Sequence, residues 1–310
     1  MPLKHHEEQL DPYHLANSRL GVIGGSGLYA MEGIKNVKEI DVSTPFGKPS
    51  DSFWLGELGG MEIVFLARHG RNHTLSPSDI PYQANIWALR SLNVRWIISP
   101  SAVGSLQANI KPLDVVIPDQ FIDRTHQRPL TFFSDGVVAH VSMADPFCSI
   151  LSDIVINSVK EIMPRERTLH IGGVYLAIEG PAFSTRAESN LYRNWNCSII
   201  GMTNHTEARL SKEAEIAYTS VSMVTDYDCW KENEDPVSVE MVINNLKENA
   251  KTGTEIIKAA ALSLSKLRPK SKAHVALRNG LVTSKKMVPM KTREKINLFT
   301  KNYWGDLKVN

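Results

Sequence analysis

No stretch of this chain approaches the roughly 18 consecutive apolar residues of a membrane helix, so neither a spanning segment nor a membrane partner is expected. The opening residues, MPLKHHEEQLDPYH, contain no apolar core, which excludes a secretory signal. Cysteine is scarce: Cys148, Cys197 and Cys229 are odd in number and lack metal-like spacing. They fit free thiols in a reducing compartment, so the protein is expected to be cytoplasmic and to lack a disulfide framework. Internal repeats and low-complexity linkers are also missing. What remains, 310 residues with 42% hydrophobic and 22% charged content, is an ordinary globular composition able to bury a substantial core.

The net charge of +2 hides an imbalance. Residues 266–310 hold 12 Lys or Arg against 2 Asp or Glu, net +10, while the other 265 residues hold 23 against 31, net −8. A basic tail of this kind can contact RNA or an acidic membrane. Its apolar groups, in ALRNGLV, INLF and YW, favour packing on the acidic body instead. The expected organisation is a main domain over 1–265 and a basic extension over 266–310 packed on it, with no nucleic-acid partner.

Short β-branched runs recur at 20–25, 62–67, 95–100, 114–119, 172–180, 197–203 and 217–226. Helix-like segments lie at 81–93, 145–163, 186–195 and 206–217, and a last long helix is expected from Val239 to about Ser265. Near-continuous apolar strands alternating with amphipathic helices predict a three-layer α/β fold, a mixed central sheet flanked by helices. In such sheets ligands sit at the carboxyl ends of strands. The polar clusters GGSG, RHGRNH, SPSAVGS, MTNHTE and TDYD all follow apolar runs, which predicts one shared site along one sheet edge.

GGSG, with Ser26, can wrap an anion or form a plain turn; GSGLYA also fits the G-x-G-x-x-A dinucleotide pattern, but without the acidic second strand. In RHGRNH, His69 and His73 have a spacing that binds zinc on a helix. The flanking Arg68 and Arg71 argue for an anion instead, with Arg68 as a planar fork, and a solvated basic loop is the bland alternative. Ser99, Ser101 and Thr203 add hydroxyls on other strand ends. In TDYDCW, strand alternation places Asp226 and Asp228 on one face with Cα atoms roughly 6.6 Å apart. That pair fits a metal, acid/base chemistry, a polar ligand or a solvated strand end. A serine hydrolase is disfavoured because no G-x-S-x-G elbow is present.

Together GVIGGSGL (21–28), FLARHGRNHTLSPSDIPYQANIWAL (65–89), DQFIDRT (119–125), MADPFC (143–148), IEGPAFSTRAES (178–189), IIGMTN (199–204) and MVTDYDCWKENEDPVSV (223–239) resemble the trimeric purine nucleoside phosphorylase family, most closely its branch acting on 5′-methylthioadenosine. The likeness spans about residues 20–250; the basic tail is only weakly similar to the extension of bacterial members. The resemblance implies a cofactor-free pentosyltransferase with inorganic phosphate as co-substrate and a purine nucleoside as substrate. It assigns phosphate to Ser26, Arg68, His69, Ser101, Ala102 through its backbone, and Thr203. Ribose falls to Met202, and the base to Phe183, Tyr227, Asp226 and Asp228. The apolar 5′ pocket falls to Val239 and Val242, and specificity to Ser184 and Val239. His140 is expected to reach across a homotrimer, or a dimer of trimers.

The expected chemistry is attack of phosphate on C1′ while Asp226 delivers a proton to purine N7 and Asp228 accepts the 6-amino hydrogen, which selects against 6-oxopurines. Serines at 26 and 101 replace threonines usual in animal members, Pro100 precedes Ser101, Val103 replaces a cysteine near the base, and NHTE (204–207) replaces a TVPE-type turn. Two other functions fit: a broader phosphorylase for adenosine or inosine, and a nucleoside- or RNA-binding protein on the same scaffold.

Overall fold

The computed structural model describes residues 15, 17–25, 33–231 and 239–305. Its frame is a mixed sheet whose described strands are β1 (Arg19–Gly24), β2 (Lys35–Ile40), β3 (Phe53–Leu58), β4 (Met61–Ala67), β5 (Val94–Ser105), β6 (Val115–Ile117), β7 (Gln120–Arg124), β8 (Leu169–Ile171), β9 (Val174–Ile178), β10 (Ile199–Gly201) and β11 (Ala217–Asp226). The helices are α1 (Tyr82–Ser91), α2 (Ser149–Ile162), α3 (Arg186–Asn194), α4 (Asn204–Glu213), α5 (Val239–Leu267) and α6 (Met290–Trp304).

β5 is the axis of the molecule. The sheet runs β2-β3-β4-β1-β5 and divides there, one arm continuing through β10, β9 and β7, the other through β11, β6 and β8. β4, β1, β5 and β11 are parallel neighbours, so their carboxyl ends share one edge. The division falls on Gly104, which pairs with Ile200 of β10 and Asp226 of β11. An ideal Cβ there would stand 2.9 Å from Ile200 Cγ2 and 3.0 Å from Asp226 Oδ1, so the junction needs glycine.

Alternation along the central strands feeds two cores. Leu20 and Val22 of β1, Ile63 and Phe65 of β4, and Trp96 and Ile98 of β5 join Leu151, Val155 and Val159 of α2 and Ile257, Ala260 and Leu264 of α5. Ile23, Val64, Leu66 and Ile97 point the other way, toward Ile86 and Leu89 of α1, Leu210 of α4 and Phe299 of α6. Each face is therefore closed by helices, which makes the three layers. Leu277, Val288 and Ile296 enter the second core too, and buried Glu215 accepts hydrogen bonds from Leu277 N (3.1 Å) and the Tyr303 hydroxyl. Much of the basic C-terminal segment thus lies against the body through apolar residues, and residue 265 falls in the last turn of α5.

Several expected boundaries move. The 206–217 helix starts at Asn204 and stops at Glu213: Glu215 turns left-handed (φ 57°), and Ala217 pairs with Trp96 as the first residue of β11. Burial in the sheet overrides the helix preference of EAEIA. The 95–100 strand continues through Pro100 to Ser105. Proline is tolerated because β1 pairing ends at Ile98, and the Pro100 carbonyl accepts from Arg68 Nη1 instead (3.1 Å).

Candidate functional site

Arg68 follows β4 and is 4% exposed. Its Nε donates to Glu207 Oε1 (2.7 Å), and its Nη2 donates to Ile23 O (2.8 Å) and Ser99 Oγ (2.5 Å). With the Nη1 bond to Pro100 O, four of its five N–H groups are committed inward. The two-pronged fork expected at Arg68 is therefore not open to a ligand; among the described residues one Nη1 hydrogen is left without an acceptor. Glu207 is equally buried, and its Oε2 accepts from Ser99 Oγ and Tyr218 Oη, both at 2.7 Å. Asn204 Nδ2 completes the group, donating to Ser99 Oγ (3.1 Å) and Tyr218 Oη (2.7 Å). The NHTE turn thus contributes two members of a buried polar network.

His69 is half-buried and neutral: burial first, then the Arg68 charge, lowers its pKa to about 4. Its Nδ1 bonds Leu75 O at 2.9 Å, which places the proton there and leaves Nε2 as an acceptor. His73, with positive φ (54°), stacks on it at 4.3 Å in a turn rather than a helix, so the zinc-like spacing is not realised. Arg71 departs from the group, pairing with Glu39 (2.5 Å) and Asp51 (3.2 Å) across the surface. Among the described residues, no three or more His, Cys, Asp or Glu side chains gather to hold a metal.

Ser101 and Ala102 lie on β5 just beyond Pro100, Ser101 buried and Ala102 exposed. Thr203 is the residue before α4; its hydroxyl makes no capping bond, while its N–H donates to Tyr175 Oη at 3.3 Å. Gly201 makes room for that phenol, which a Cβ would strike. Arg68, His69, Ser101 and Thr203 are thus brought together where β4, β5 and α4 meet.

At the other end, Asp226 closes β11 and is 7% exposed. Its Oδ2 accepts from Thr225 Oγ1 (2.6 Å) and its Oδ1 from Asp228 N (2.8 Å). Burial raises its pKa despite these bonds. Asp228 lies beyond the strand with φ 53°, so a turn, not strand alternation, sets it beside Asp226. Burial raises its pKa despite the nearby Ser189 hydroxyl, with the like charge of Asp226 adding to the rise; neither Asp228 Oδ2 nor Ser189 Oγ has a hydrogen-bond partner of good geometry among the described residues. Tyr227 is buried between them, and Cys229 Sγ donates to Ser184 O (3.2 Å), tying the GPAFS loop to this turn.

The loop is anchored again at Glu179. Although burial works against it, bonds from the Ser78 hydroxyl, His126 N (2.6 Å), Arg128 Nε (3.0 Å) and Gln127 N (3.1 Å) hold its carboxyl down to about 2. Phe183 is 52% exposed, and Met202 is half-buried near Gly180. Val103 packs in the core with Val116, Tyr175 and Val224, not on a wall of the cleft. His140 is exposed, its N–H on Gly280 O (2.8 Å); among the described residues no hydrogen bond links it or Phe183 to the strand-end groups. Ser26 and the side chains of Val239 and Val242 lie outside the described residues.

Glu207, Tyr218, Asn204 and Tyr175 escaped the sequence reading. A glutamate in the first turn of a helix reads as a partner for the helix dipole, and nothing local shows that it reaches a residue 139 positions away.

A family model described as the phosphorylase superfamily matches residues 19–261. The S-methyl-5′-thioadenosine phosphorylase of Prochlorococcus marinus is 67% identical over 291 residues, covering 94% of this chain and 93% of that protein. That of Thermosynechococcus vestitus is 51% identical, covering 92% and 99%. Among solved structures, a methylthioadenosine phosphorylase from an antarctic soil metagenomic library superposes with a TM-score of 0.88 at 49% identity, covering 91% of this chain and 99% of that one. The Schistosoma mansoni methylthioadenosine phosphorylase in complex with adenine gives 0.77 at 35%, covering 84% and 96%. This chain belongs to the phosphorylase superfamily, in the family of the S-methyl-5′-thioadenosine phosphorylases.

Proposed function

We propose that the chain catalyses phosphorolysis of 5′-methylthioadenosine to adenine and 5-methylthioribose 1-phosphate. The observation that carries the reading is the layout along β5: Arg68, with His69 next to it in the chain, bonds the Pro100 carbonyl just before Ser101, and buried Asp226 and half-buried Asp228 lie against Gly104. Three residue steps of strand separate them, roughly 10 Å, the span of a ribose and its base. The names of the relatives point to the same substrate.

Phosphate lies at the Ser101 end, held by the hydroxyls of Ser26, Ser101 and Thr203, the Ala102 N–H and the remaining Arg68 N–H. Neutral His69 accepts a phosphate O–H through Nε2. Attack on C1′ builds positive charge on the sugar and negative charge on the departing purine. Asp226, whose burial favours its acid form, donates to N7 as the bond breaks. The unpartnered Asp228 Oδ2 suits the 6-amino donor of adenine; a 6-oxo group would set two acceptors face to face. Met202 carries the ribose, Phe183 the base, and Val239 and Val242 the 5′ group, with Ser184 and Val239 tuning specificity. The exposed Phe183 and His140 fit a homotrimer in which His140 completes a neighbouring site. No cofactor takes part, and the reaction belongs in the cytoplasm. No helix among the described residues is long and apolar enough to cross a membrane.

The test is base release from methylthioadenosine, adenosine and inosine, each with and without phosphate. Adenine release from methylthioadenosine that requires phosphate is expected, with inosine at least about tenfold slower. Release without phosphate overturns the mechanism, and equal use of adenosine replaces the proposal with the broader enzyme.

A further inference from the structure

Glu207 touches none of the atoms that react, yet it is the most heavily bonded carboxylate at the phosphate end. We propose that Glu207 is a positioning residue: it fixes Arg68 against α4 so that the free Arg68 N–H and the Thr203 hydroxyl face the same oxyanion. The proposal rests on the phosphorolysis reading above.

Three observations carry it. Glu207 is 2% exposed and Arg68 4%, and their contact joins the end of β4 to the first turn of α4. Removing two charges from water is costly, and such a pair is often no more stabilising than apolar packing, so its geometric effect stands out. Glu207 also follows Thr203 by one turn, with its N–H on Thr203 O at 3.4 Å. The carboxylate that aims Arg68 is therefore rigidly connected to the residue whose uncapped hydroxyl awaits a ligand. Finally, Glu207 accepts on both oxygens, Arg68 Nε on one, and Ser99, Tyr218 and a longer Arg68 Nη2 bond (3.4 Å) on the other. A carboxylate can accept from all three, whereas a carboxamide must turn its N–H2 toward at least one donor. Charge matters as well: Glu207 offsets the Arg68 cation, so phosphate is held by directed donors more than by net charge.

The experiment is steady-state kinetics of the full-length Glu207→Gln enzyme with phosphate and nucleoside varied separately. The expected result is a KM for phosphate raised about tenfold or more, with the KM for nucleoside and kcat at saturating phosphate within about threefold of wild type. Tyr218→Phe keeps the charge and removes one donor, and should raise the phosphate KM by a smaller factor; it also decides the matter if Glu207→Gln does not fold. Equal losses for both substrates, or an unchanged phosphate KM, overturn the positioning role. A wild-type enzyme that releases base without phosphate would instead sink the underlying reading, an outcome visible before any variant is made.

Discussion

The two polar groups along the carboxyl half of β5, one at Ser99–Ser101 and one at Gly104, differ in how much of their chemistry is already committed. Around Arg68 most donors and acceptors are paired: guanidinium, carboxylate, hydroxyl, phenol and the Asn204 N–H2 form one connected group, with Asn204 Oδ1 left without a partner among the described residues. Around Asp228 less is committed: a buried carboxylate oxygen has no hydrogen-bond partner among the described residues, and the residue that carries it is left-handed. An oxyanion needs donors aimed in advance, and a preformed network supplies them without reorganisation. A neutral base is recognised by the acceptor it leaves waiting, and an unpaired oxygen penalises any ligand that brings no donor. On the proposed reading, the phosphate group relies on rigidity and the base group on discrimination.

Two variants separate these roles, and a third lies outside both. The largest effect is expected from Asp226→Asn, which keeps the acceptor for Asp228 N but cannot deliver a proton; kcat should fall by about 10²–10³-fold with the phosphate KM little changed. Because burial raises the Asp226 pKa, its acid form is present below that pKa and lost as pH rises through it. The wild-type rate should thus decline on the alkaline side and the variant's profile should flatten there; a parallel decline in both would assign the acid elsewhere.

Asp228→Asn tests discrimination alone. Adenine nucleosides should lose about tenfold in kcat/KM and 6-oxopurine nucleosides much less, narrowing the ratio between them; an equal loss would show that Asp228 only supports the turn.

The smallest effect lies outside both groups. Glu213, at the far end of α4, is 5% exposed and accepts from Phe132 N at 2.7 Å; burial pushes its pKa from 4.5 up to about 7. A carboxyl whose pKa is raised on folding stabilises the protein below its unfolded value and loses that contribution as pH rises through the folded one. The melting temperature should drop between pH 5 and 8, and Glu213→Gln should shrink that drop by roughly 2–4 °C without changing the kinetics. A drop unaltered in the variant would place the titrating group elsewhere.

Legibility from sequence followed burial. β1, β4 and β11 are dense in Val, Ile and Leu or buried on both faces and stood out within a residue or two, whereas β2, exposed along most of KNVKEI, has no alternation to read. β8 is three residues long, and α6 carries so many lysines that its buried Ile296 and Phe299 do not look like a core stripe. At the site, residue types were readable and their commitments were not. Arg68 looked like an open fork because no local pattern reveals Glu207, and Asp226 and Asp228 looked like alternate strand residues because a left-handed turn at 228 has no marker such as glycine.

The sequence by itself determined the α/β class, the strand-end placement of the polar clusters and the family, since apolar periodicity and long motifs are properties of neighbouring residues. Only the tertiary structure decided what each polar group has left to offer. Hydrogen bonds from α4 to Arg68 and to β5 join residues more than a hundred positions apart, and burial, which raises the Asp226 and Asp228 pKa values and holds His69 neutral, exists only once those elements are packed.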